Sequence, residues 1–250
     1  MIRWPLLPLL TIGLAAWTGD AAAADGLSSL DETLLADAAD GSLTQFDFLS
    51  ACLIAGGLES EQELTQQRER LDRAIENVVD ASLLKLPSDD RPRTVLERMH
   101  VRLLTGRYDK GASDLPRALE TGDFNCLSAL VLYDELCRRA GVPLVIVARP
   151  GHVSARIGTS MTFVEPTSPR WTVSIVRRSE GESRPIRREQ LLGRFYYNRG
   201  LTQLATGNYR EGVALSLAAC RLDPDDEDAR ANVLAGLQNW SATLSQAEHP

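Results

Sequence analysis

No two of the four cysteines, Cys52, Cys126, Cys137 and Cys220, form a CxxC pair, and none stands at a metal-ligand spacing from the three histidines. That pattern argues against a structural zinc site, and neither a metal nor a cofactor is expected. Basic clusters are as scarce: the net charge is -7. Phosphate binding needs Lys and Arg gathered on one face, so no nucleic-acid partner is expected. Arg177, Arg178, Arg184, Arg187 and Arg188 come nearest to such a cluster, but Glu180, Glu182 and Glu189 interleave them, and the stretch reads as a solvated loop.

An uninterrupted apolar run is missing too. From Trp4 to Trp17 the chain is apolar, but Pro5, Pro8, Thr11 and Gly13 break it, and it falls short of the roughly 20 residues of a membrane span. With Arg3 before it and Ala21 to Ala24 after it, residues 1–24 read as a removable export signal, leaving no permanent membrane span. The mature protein is then expected in the periplasm or secreted. In such an oxidising compartment a bridge from Cys52 to Cys137 or Cys220 is one arrangement and buried free thiols are the other. Cys126 and Cys137 would share a helix about 16 Å apart, too far for a disulfide's limit of about 7 Å.

What is present is mostly helix. Residues 25–105 form one helical region, with a helix expected over Thr44–Ala55 and stopped by Gly56-Gly57. A longer one follows through Leu64, Leu71, Ile75 and Val78, and helical spacing resumes at Thr94 after the break from Pro87 to Pro92. His100 reads there as an ordinary helix residue. Residues 106–190 form an α+β core, with an apolar helix over Asn125–Ala140, strands over Leu144–Arg149, His152–Ile157 and Thr162–Glu165, and a fourth over Trp171–Val176. In residues 191–250, Gly200, Gly207, Asn208, Tyr209, Ala219 and Pro224 fall at the offsets of one tetratricopeptide-like helix pair, with one further helix after it. Gly212 and Ser216 stand where that pattern expects apolar residues, and so does Arg199. A single repeat cannot bury its own face, so it should dock on the domain before it.

Cys126 opens the apolar helix, beside unpaired backbone N–H groups and the positive end of the helix dipole, a setting that favours a thiolate. Pro150-Gly151-His152 follows 26 residues on, and Phe163-Val164-Glu165-Pro166-Thr167 comes 13 further. With Asn-Cys-Leu-Ser-Ala-Leu and Gly-Val-Pro, these words resemble the transglutaminase-like superfamily, in a bacterial branch carrying N-terminal helices and tetratricopeptide-like helices. The resemblance implies a papain-like cysteine core in which Cys126 is nucleophile, His152 general base and Glu165 the residue that orients the imidazole, where aspartate is usual. The implied reaction is acyl transfer from an amide, ending in hydrolysis or transamidation of a peptide-like substrate. The competing expectation is a non-catalytic scaffold that binds a partner protein through its C-terminal helices.

One geometric expectation is sharp. If Gly158-Thr159 is a two-residue hairpin loop, Ile157 faces Ser160 and His152 stands directly opposite Glu165.

Overall fold

Helices start in this chain where a short polar side chain can cap them. The computed structural model describes residues 26–160, 162–171, 173–175 and 183–248; the expected export signal lies outside them. Helix α1 (Ser29–Asp37) is capped by Ser28 in a reciprocal box with Asp31, and α2 (Phe48–Ala55) by Asp47, whose carboxylate accepts the Ser50 N–H at 3.0 Å. That cap sets the start of α2 four residues later than the expected Thr44. Helices α3 (Glu61–Val78), α4 (Ala81–Leu84) and α5 (Arg91–Arg102) follow, α3 burying Leu71, Ile75 and Val78 as its periodicity requires.

Sequence reading placed no helix between residues 106 and 124, yet α6 (Leu115–Thr121) forms there, capped by Asp114 and ended by Gly122. Gly122 has a positive φ of 74° and a Cβ there would stand 2.6 Å from the Gly106 nitrogen, so the two strands of chain can cross only as glycine on glycine. This crossing delivers the chain into α7 (Cys126–Arg139), which is buried nearly all round and packs on α5 and on the sheet.

The sheet is antiparallel, in the order β4-β3-β2-β1-β5, from β1 (Leu144–Arg149), β2 (His152–Ile157), β3 (Thr162–Val164), β4 (Val173–Ile175) and β5 (Arg184–Ile186). The molecule is therefore α+β, a mainly helical chain around one small sheet. Strand β5 corrects the expectation of a solvated loop over its part of the Arg-rich stretch. Arg184 pairs with the buried Asp223, and Arg188 grips Asp134 with Nε at 2.8 Å and Nη2 at 2.7 Å. Arg177, Arg178, Glu180 and Glu182 lie outside the described residues.

Helices α8 (Arg188–Ala205), α9 (Tyr209–Leu222) and α10 (Glu227–Glu248) complete the chain. The residues that spoil the repeat pattern have work to do here. Arg199 donates to Asp31 at 2.9 Å, beside Tyr196, whose hydroxyl donates to the same carboxylate at 2.9 Å; α8 is thereby fixed to α1, 168 residues away in sequence for the Arg199 pair. Ser216 and Gly212 sit in the α8–α9 crossing. A Cβ on Gly200 would meet Ser216 Oγ at 2.8 Å, and one on Gly212 would meet Leu204 at 2.7 Å. The helix pair docks as expected, with Leu191, Leu192, Phe195 and Tyr196 buried, while Leu201 and Leu217 stay exposed. No described helix is long and apolar enough to cross a membrane.

Candidate active site

Asn125 caps α7 by accepting from Leu127 N–H at 2.9 Å and Ser128 N–H at 3.1 Å, while Ser128 Oγ accepts the Asn125 N–H at 3.0 Å. The Asn125 amide also donates to the Lys110 carbonyl at 3.0 Å, and Ser128 Oγ to that of Ala112 at 2.8 Å, so the preceding loop is tied to the helix start. Among the described residues nothing accepts the Cys126 N–H. It stays available at the positive end of the helix, beside a sulfur that is only partly buried.

His152 opens β2 directly after the Pro150-Gly151 turn, which β1 and β2 close with Arg149 opposite His152. Its Nε2 stands 2.6 Å from Glu165 Oε2, and the Cys126 side chain lies near enough to the ring to be the first influence on its titration. The three residues singled out in the sequence therefore meet on one imidazole. Burial raises the Glu165 carboxyl, but hydrogen bonds from His152 and Thr167 outweigh it and hold the group below its ordinary value. An ionised carboxylate only accepts, so Nε2 carries a proton and Nδ1 is the nitrogen left for sulfur. The nearby Cys126 side chain, then the hydrogen bond with Glu165, pushes the His152 pKa up to about 9.

The register differs from expectation. Ala155 pairs with Val164 and Arg156 with Phe163, so continuing the ladder by one residue sets Ser154, not His152, opposite Glu165. The connection is two residues longer than a two-residue loop, because Ser160 folds back to the Ile157 carbonyl through its N–H at 3.0 Å and its hydroxyl at 2.7 Å. A slip of two leaves every side chain on its expected face. Glu165 thus meets His152 along the diagonal of the ladder, a span of about 7–8 Å between backbones that a long side chain can cross.

Three participants escaped sequence reading. Thr167 holds the far carboxylate oxygen of Glu165, with Oγ1 at 2.7 Å and N–H at 3.3 Å; the signal was a threonine two residues after the acid. Tyr108 is half exposed, stands edge-on to Phe124 with centroids 6.1 Å apart, and has its phenol raised, by burial first. The third is His100, taken up below. All four cysteines are free thiols, Cys52 and Cys137 fully buried, with burial the main cause that raises both. Among the described residues no group of His, Cys, Asp or Glu could hold a metal ion.

Compared with protein-family models, with curated proteins and with solved structures, the chain matches none of them.

Proposed function

We propose that this chain is a transglutaminase-like thiol acyl transferase or amidase acting on a peptide-like substrate, and that it works outside the cytoplasm after loss of residues 1–24. The observation that carries the reading is a single imidazole that meets Glu165 at 2.6 Å and has the Cys126 side chain as the first influence on its titration. In the reaction, His152 holds the proton that leaves Cys126, and the sulfur attacks the amide carbonyl carbon. The oxyanion faces the unused Cys126 N–H. The C–N bond then breaks as His152 hands its proton to the departing amine, leaving a thioester. Water or a second amine attacks the thioester with His152 as base, and the thiol is regenerated. Glu165 keeps the ring turned and stabilises its charged form.

Alkylation with iodoacetamide tests this. In the folded protein Cys126 is expected to label at neutral pH while Cys52 and Cys137 do not, and His152→Ala should suppress the labelling. Ammonia release from glutamine-containing peptides, lost in Cys126→Ser, would identify the amide as substrate. A Cys126 that labels no faster than the buried thiols would sink the proposal. The scaffold reading keeps one observation in its favour: Leu201, Leu217, Leu234, Leu237 and Leu244 are exposed on α8–α10. It predicts partner binding that survives Cys126→Ser.

A further inference from the structure

His100 belongs to α5, in the N-terminal helices, yet its ring is buried between the two loops that carry the nucleophile and the acid. Its Nε2–H donates to the Pro166 carbonyl at 2.9 Å, across 66 residues of sequence. Pro166 directly follows Glu165. The ring also packs edge-on against Phe124, with centroids 5.4 Å apart and planes at 76°. Phe124 stands two residues before Cys126, and its own backbone is clamped, accepting from Asp109 N–H at 2.8 Å and donating to the Arg107 carbonyl at 3.2 Å. One imidazole therefore touches the residue directly after the proposed acid and the residue two before the proposed nucleophile.

We propose that His100 is a positioning residue that sets the distance between the Cys126 and Glu165 arms, so that both reach His152 at once. The inference rests on the thiol-site reading above. A purely space-filling residue would need only the Phe124 contact; the hydrogen bond to Pro166 is a directed link, and its loss would leave a buried carbonyl unpaired. Burial is the main influence on the His100 ring and holds its pKa below the ordinary value, so it stays a neutral N–H donor while His152 is driven the other way. Helix ends favour a cation there, but burial prevails.

The experiment compares the wild type with His100→Leu, which keeps bulk against Phe124 without a donor, and His100→Gln, whose amide can still donate to the carbonyl. The chain has three histidines, so imidazole titrations can be followed individually by NMR after isotope labelling. In His100→Leu the His152 titration is expected to fall from about 9 toward the ordinary imidazole value, and Cys126 alkylation at neutral pH to slow by on the order of tenfold, with a cooperative thermal melt retained. His100→Gln should recover both. A folded His100→Leu with wild-type titration and rate overturns the proposal. So does a folded His100→Gln in which His152 has returned to its ordinary value, and that variant decides alone if the leucine protein does not fold. An inert wild-type Cys126 beside a His152 still titrating near 9 would refute the reaction assignment only; the shift of His152 in His100→Leu would still judge the brace.

Discussion

Glu165 reaches His152 along a diagonal of the β2–β3 ladder, and Thr167 holds its other oxygen, so the length of this side chain is part of the geometry. Shortening it by one methylene in Glu165→Asp should pull the carboxylate away from Nε2. Because misplacement by about 1 Å can cost roughly a hundredfold, Cys126 alkylation is expected to slow by on the order of tenfold to a hundredfold, and no less than in Glu165→Gln. A wild-type rate in Glu165→Asp would mean that the diagonal is slack. The raised His152 also predicts how stability varies with pH. Its folded pKa of about 9 lies above the value of about 6.5 for an unfolded imidazole, so its contribution is complete below about 6.5 and is lost as pH rises through about 9. Urea unfolding across that window should show the wild type losing stability relative to His152→Gln as pH climbs.

At the scale of elements, the α8–α9 crossing depends on a backbone contact that no side chain can enter. Gly200→Ala would gain about 1 kcal/mol of helix propensity, but its Cβ would lie 2.8 Å from Ser216 Oγ and 3.1 Å from the Gly212 carbonyl. Overpacking of this kind costs about 1–3 kcal/mol, so a lowered urea midpoint is expected from a substitution that stabilises most helices. The same scale shows what sequence could and could not convey. Strands β1 and β2 and the end of α7 were legible because Gly141, Pro143, Pro150 and Gly151 punctuate them. Strand β5 was not, since Pro185 and its arginines argue against a strand; at the sheet edge proline is tolerated because one side of the ladder is empty. The β2–β3 register was misjudged by two because the fold of Ser160 onto Ile157 has no glycine-pair signature. Cys126, His152 and Glu165 could be singled out by their local words, whereas His100 could not: its partners, Phe124 and Pro166, lie in other segments, and periodicity along α5 says nothing about them.

For the whole molecule, the C-terminal helices are a wall of the core as much as an appendage. Leu191, Leu192, Phe195 and Tyr196 are at most 1 % exposed, and burial of such side chains contributes about 1.5–3 kcal/mol each. A domain's whole stability is about 5–15 kcal/mol, so a chain truncated before Leu191 should be insoluble or lack a cooperative melt. A soluble, monomeric, cooperatively unfolding truncation would refute this. The link from Asp31 to Tyr196 and Arg199 has a further consequence, in time. Those partners are synthesised 165 and 168 residues after Asp31; at about 5–20 residues per second the wait is roughly 8–33 s. Throughout it the apolar α2, whose cover includes α8, has no finished neighbour on that side. A growing chain of this protein can therefore close the link between α1 and α8 only once Arg199 has been made, and α2 gains this part of its cover late.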